Sequence, residues 1–144
     1  MGNTQEIYQI ETLRILTQFQ RLEQSLKMYI SEAYALIESR AKGFVPFRYS
    51  GADVESFSLE RLIGIFAKVN DNHTLIARLN KLPKKRNDVA HRSLLIAWGG
   101  YSDLKKQKNA LSDYSDLEAE LTPCLRDVLD EWGKLGRTRN RYEA

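Results

Sequence analysis

The residues best suited to chemistry lie in one polar run, Lys84-Lys85-Arg86-Asn87-Asp88-Val89-Ala90-His91-Arg92, inside a chain otherwise built from apolar-periodic segments. Asn87 precedes His91 by four positions, and Arg86 precedes it by five. On a helix, Asn87 and His91 fall about 40° apart on one face, whereas Arg86 lies about 140° round from His91. Arg86 therefore meets the imidazole only through the length of its side chain or from a second subunit. A cation, an amide and an imidazole pointing into one space make an anion or phosphate site; the competing reading is a solvated helix face.

Such groups suit chemistry at a phosphate ester, where a proton must leave the attacking oxygen or reach the departing one, and negative charge gathers on the phosphoryl oxygens. Histidine exchanges protons near neutral pH, and general acid–base catalysis contributes typically about 10² to 10⁴-fold. The planar fork of arginine suits the phosphoryl oxygens. Asn87 can orient His91 across one helical turn or donate to a phosphate oxygen, and Lys84, Lys85 and Arg92 provide cations for a polyanion backbone. Asp88 puts a negative charge beside the site unless it points away or pairs with Arg92, four residues on.

Other chemistries have less support. Two histidines and one cysteine make a tetrahedral zinc site improbable, and no metal or cofactor is expected. His73 reads as a surface residue in a polar turn. Gly99-Gly100 lacks the lysine and spacing of a phosphate loop, and no serine sits in a nucleophile-elbow sequence. Glu118, Glu120, Asp127, Asp130 and Glu131 form an acidic face, expected to be solvated or to meet a basic partner. Trp98 and Trp132 read as core or interface residues, and Cys124 as a small core residue.

The elements that position the motif are helical. Residues 4–42 carry Ile7, Ile10, Leu13, Leu16, Phe19, Leu22, Leu26, Tyr29, Ile30, Ala33 and Ile37 in steps of three and four, with Asn3 and Glu6 as a capping arrangement and Gly43 as the stop. Such a helix is about 58 Å long, so a bend or break within it is expected. Residues 43–58 read as a packed, aromatic connection. Ser58 caps a short helix whose buried face is Leu59, Leu62, Ile63 and Phe66, and a further short helix covers 74–80. The motif helix starts near Lys81, with Asn80 as cap and Pro83 in its first turn, and runs to Trp98, where Gly99-Gly100 ends it. Ser115 to Glu118 reads as a capping box before a final amphipathic helix, and Thr122-Pro123 as either a cap or a kink in one longer helix. No segment alternates with period two, so the expected fold is all-α, a bundle of four or five helices in one domain, with a short basic tail from about residue 136.

Composition permits this reading. The chain has 144 residues, 42% of them hydrophobic and 28% charged, so a core can form without metal or disulfide. The longest apolar run, residues 94–98, is far shorter than the roughly 20 residues of a bilayer span, so no membrane association is expected. The N-terminus lacks the basic and apolar regions of a secretory signal and the serine or threonine of a myristoylation site, and a single cysteine fits a reducing compartment. A cytoplasmic location is the default. The net charge of +3 permits nucleic-acid contact, with basic clusters at 81–86, 105–108 and 137–141.

Arg86-Asn87-Asp88-Val89-Ala90-His91 resembles the motif of the HEPN superfamily, all-α bundles in which an arginine, a polar residue and, a few residues later, a histidine lie near the start of a late helix. The resemblance covers these six residues closely and the rest as an order of helices. It implies a metal-independent endoribonuclease acting as a homodimer, with Arg86, Asn87 and His91 of two subunits forming one composite site. It further implies a toxin or defence role, checked by a cognate antitoxin that is often nucleotidyltransferase-like. The rival readings are a non-catalytic module binding RNA, nucleotide or protein, and a helical adaptor in which Arg86 and His91 are interface residues.

Overall fold

The computed structural model describes residues 3–98 and 103–143, which fold as an all-α bundle. Its helices are α1 (Thr4–Ala41), α2 (Gly51–Glu55), α3 (Leu59–Lys68), α4 (His73–Leu79), α5 (Leu82–Ala97) and α6 (Leu104–Glu143). Five helices of seven residues or more agree with the expected four to five; α2 adds a short turn within the aromatic connection. No described helix is long and apolar enough to cross a membrane.

Two long helices form the frame. In α1 the buried positions include Tyr8, Thr12, Ile15, Phe19, Leu22, Leu26, Tyr29 and Ala33, alternating steps of four and three. In α6 the buried positions Gln107, Ala110, Tyr114, Leu117, Leu121, Cys124 and Val128 keep the same alternation. A 3.5-residue repeat is the pattern of helices that pack along their length. Arg14 pairs with Glu118 and Glu32 with Arg139, so the two helices run parallel. Two hydroxyls of the seam are paired with each other. Thr12 Oγ1 donates its one hydrogen to Tyr8 O at 2.7 Å, so the Tyr114 hydroxyl, 2.8 Å away, is the donor to Thr12.

This register corrects the N-terminal part of the apolar stripe. Ile7, Ile10 and Leu13 are exposed, and Tyr8, Thr12 and Ile15 take the buried places. Steps of three drift away from a 3.5-residue seam within two turns, and hydrophobicity alone ranks isoleucine above the threonine that the seam selects.

Expected ends are mostly observed. Asn3 accepts from the Glu6 amide at 2.8 Å, Ser58 accepts from the Arg61 amide at 3.2 Å, and α1 stops just before Gly43, whose φ is +89°. Leu59, Leu62, Ile63 and Phe66 form the buried face of α3. Three expectations change. Asn80 ends α4 instead of capping α5, which begins after Lys81 with no side-chain cap bond and Pro83 in its first turn. Ser115 to Glu118 lies inside α6, and Thr122-Pro123 stands within that same uninterrupted helix. A proline interior to a helix costs about 3 kcal/mol, but Leu121, Cys124 and Val128 are buried on either side of it, and their packing holds one helix across the defect. Gly99 and Gly100 fall outside the described residues. Arg137, Arg139 and Arg141 sit on the last turns of α6.

Candidate functional site

α5 packs through Leu82 and Val89, its two buried residues, with Ile96 partly buried below them. These recur every seven residues and define its inner line. At about 100° per residue, Lys84, Asn87, His91, Leu94 and Trp98 fall within roughly 40° of the opposite line. All five are exposed, Leu94 at 51% and Trp98 at 76%. Asn87 and His91 thus share the outward face, as their spacing requires.

Arg86 lies on one flank. Its Nε stands 3.3 Å from Glu23 Oε1 on α1, an ion pair without the alignment of a hydrogen bond. The opposite flank faces α6, where Lys85 bonds Glu120 at 2.7 Å and Arg92 approaches Asp113 at 3.9 Å. These pairings run α5 antiparallel to α6. The Arg92 guanidinium also lies 5.5 Å from the Tyr114 ring centroid. Burial works against the charge on Arg92, but Tyr114 and the nearby carboxylate more than offset it and raise its pKa. The ion pair of Arg92 is with Asp113, and Asp88 is exposed beside the same depression, about 340 Å³, between α5 and α6.

The run that looks most basic in the sequence is therefore largely neutralised in the fold. Of its cations, Lys85, Arg86 and Arg92 face carboxylates of α1 and α6, whereas Lys84 is exposed and in none of the ion pairs among the described residues. Nothing in the sequence links Glu23, Asp113, Tyr114 or Glu120 to the motif, because each comes from a helix distant along the chain; Glu120 stands out only as part of the acidic face.

Comparison with known proteins returns no match: no family model, curated protein or solved structure aligns with the chain.

The chemistry available rests on the side chains themselves. Exposed Asn87 and His91 are open to a ligand from outside the monomer, and Arg86 is drawn toward α1. Within one chain the three do not converge on one point. Four of the five residues of the acidic face expected on α6 are met by groups of the same chain, Glu118 by Arg14, Glu120 by Lys85, Asp127 by Arg78, and Glu131 by Asn70 and Asn72, whereas Asp130 is exposed. Cys124 is buried, as expected, and burial pushes its thiol pKa up, so it is inert. Trp98 and Trp132 are exposed and fill no core.

Proposed function

We propose that the protein is a metal-independent endoribonuclease of the HEPN type whose active site is completed by a second copy of the chain across the outer face of α5. The observation that carries this reading is the outward line of Asn87 and His91, continued by exposed Leu94 and Trp98. A solvated face needs no exposed leucine and tryptophan next to its polar residues; a face that meets a partner does. Two such faces brought together would set two histidines and two asparagines opposite each other.

In that arrangement one His91 takes the proton of a 2′-hydroxyl and the freed oxygen attacks the adjacent phosphorus. The second His91, in its protonated form, delivers a proton to the departing 5′-oxygen. The products are a 2′,3′-cyclic phosphate and a 5′-hydroxyl end, and the pair has exchanged one proton with no net gain or loss. Asn87 orients an imidazole or donates to a phosphoryl oxygen, and Lys84, joined by Arg86 once its side chain swings from Glu23 to the phosphate, offsets the gathering charge. A role as a toxin restrained by an antitoxin protein extends this reading.

The test is incubation of purified protein with RNA in EDTA. Cleavage to cyclic-phosphate ends is expected, with His91→Ala reducing the rate at least about 100-fold. Undiminished cleavage by that variant removes His91 from the mechanism.

A second reading has its own observation. The neutralisation of Lys85, Arg86 and Arg92 by Glu120, Glu23 and Asp113 favours a non-catalytic interaction module in which α5 docks a protein. Stable self-association or partner binding without turnover of RNA distinguishes it.

A further inference from the structure

The excess positive charge of the molecule lies away from the motif. Residues 36–49 and 135–141 hold six cations, Arg40, Lys42, Arg48, Arg137, Arg139 and Arg141, against the single carboxylate Glu38. The whole chain nets only +3, so the remainder is net negative. Because α1 and α6 run parallel, both segments lie at the same end of the bundle. The two helix C-termini there contribute about −0.5 charge each, too little to cancel the cations.

This end also displays aromatic surface. α1 stops at a turn in which the amides of Phe44 and Val45 both donate to Ala41 O, at 2.9 and 3.1 Å. Gly43 takes a left-handed φ of +89° in that turn, and Phe44 beyond it is 87% exposed. Behind it, Phe47 and Tyr49 each pack edge-on to Tyr34 with ring centroids 5.5 Å apart, which fixes both rings. Lys42, Phe44, Phe47, Arg48, Tyr49 and Arg139 line an open depression of about 810 Å³, with Glu38 as its one acid. Arg139 also holds Glu32 at 3.1 Å.

We propose that this aromatic and cationic depression is a binding surface for single-stranded RNA, with Phe44 stacking on a base and Lys42 and Arg48 on phosphates. Every base offers a π-face to an exposed ring, and cations beside the ring follow the backbone, so the chemistry fits an unpaired strand without sequence preference. A concave site with a fixed aromatic floor suits a base better than a bilayer, which takes convex apolar tips. The choice of RNA over DNA rests on the nuclease reading; the surface itself does not. Arg86 pairs with Glu23, 19 residues before Lys42 on α1, so the depression lies roughly 28 Å along the helix from the motif. A strand held at both places would extend along the bundle, which makes the substrate several nucleotides long.

The test uses the full chain and a fluorescently labelled 2′-O-methyl oligoribonucleotide, which cannot be cleaved through its 2′-oxygen. Anisotropy should show salt-sensitive binding that Phe44→Ala weakens roughly five-fold or more. Lys42→Glu with Arg48→Glu should weaken it further and flatten the dependence of log K on log salt by roughly 0.7 for each phosphate that is no longer neutralised. These side chains are exposed, and unchanged thermal melting of each variant shows that the fold is kept. Equal affinity in wild type and all variants overturns the proposal, as does binding to anionic phospholipid vesicles in place of the oligonucleotide. If wild type binds through Phe44 yet never cleaves natural RNA, the nuclease reading fails and this surface stands; if it cleaves and Phe44 is immaterial to binding, the reverse holds.

Discussion

Arg86 Nε stands 3.3 Å from Glu23 Oε1, so the motif's arginine is turned toward α1 while His91 faces outward from the same helix. Glu23 is the more buried partner, and removing its charge leaves a half-buried guanidinium uncompensated. Glu23→Gln is expected to lower stability by about 1 kcal/mol in urea denaturation, the upper range for partly exposed pairs. An unchanged midpoint would show that the pair contributes nothing to the fold.

Leu94 and Trp98 continue the outward line of Asn87 and His91. Since α5 runs antiparallel to α1, they are carried toward the N-terminal turns where Ile10 and Leu13 are also exposed. Leu94→Asp with Trp98→Asp should turn a dimer into a monomer in sedimentation and reduce RNA cleavage at least about 100-fold, with His91 intact. Wild type sedimenting as a monomer, or a monomeric variant that cleaves normally, rules out the composite site.

Acid should loosen the seam. The Arg14 hydrogen bond holds the Glu118 carboxyl below its ordinary value near 4.5, and the Arg78 hydrogen bond holds Asp127 below its ordinary value near 3.8. For Glu131, burial acts upward, but hydrogen bonds from Asn72 and Asn70 outweigh it and the net direction is down. In each case the unfolded chain takes up protons first, so the stabilisation is complete above the ordinary carboxylate values and is lost as pH falls through the depressed ones. The melting temperature should drop from roughly pH 5 downward, and Glu118→Gln should make that drop shallower. A parallel profile for the variant would exclude Glu118 as a contributor.

Gly43 has open space where a Cβ would stand, so only its φ of +89° opposes a side chain. Gly43→Ala is expected to cost about 1 kcal/mol in thermal or urea denaturation, because an L-residue is strained in that region. A stabilised variant would mean that the turn relaxes to negative φ, and Phe44 would then be presented differently.

How much of this could be read from residues alone differs element by element. Helical periodicity and the caps at Asn3 and Ser58 report local energetics, and those survive folding. The placement of Asn87 and His91 on one face follows from helix geometry within four residues, whatever surrounds them. Ser115 to Glu118 failed as a helix start because a capping signal is worth about 1 kcal/mol, less than the burial of Tyr114, Leu117 and Leu121 that carries α6 through it. Pro123 yielded for the same reason.

The sequence by itself determined an all-α chain and one helix face carrying an amide and an imidazole, since both depend on neighbours within about a turn. Only the tertiary structure decided which face of α1 is buried, where Tyr8 and Thr12 replace Ile7 and Ile10. It alone decided which cations are matched by carboxylates: Glu23, Asp113 and Glu120 neutralise the motif run, whereas Lys42 and Arg48 stay in a depression with one acid. Charge acts through space between helices far apart in the chain, and a run of basic letters does not record what packs against it.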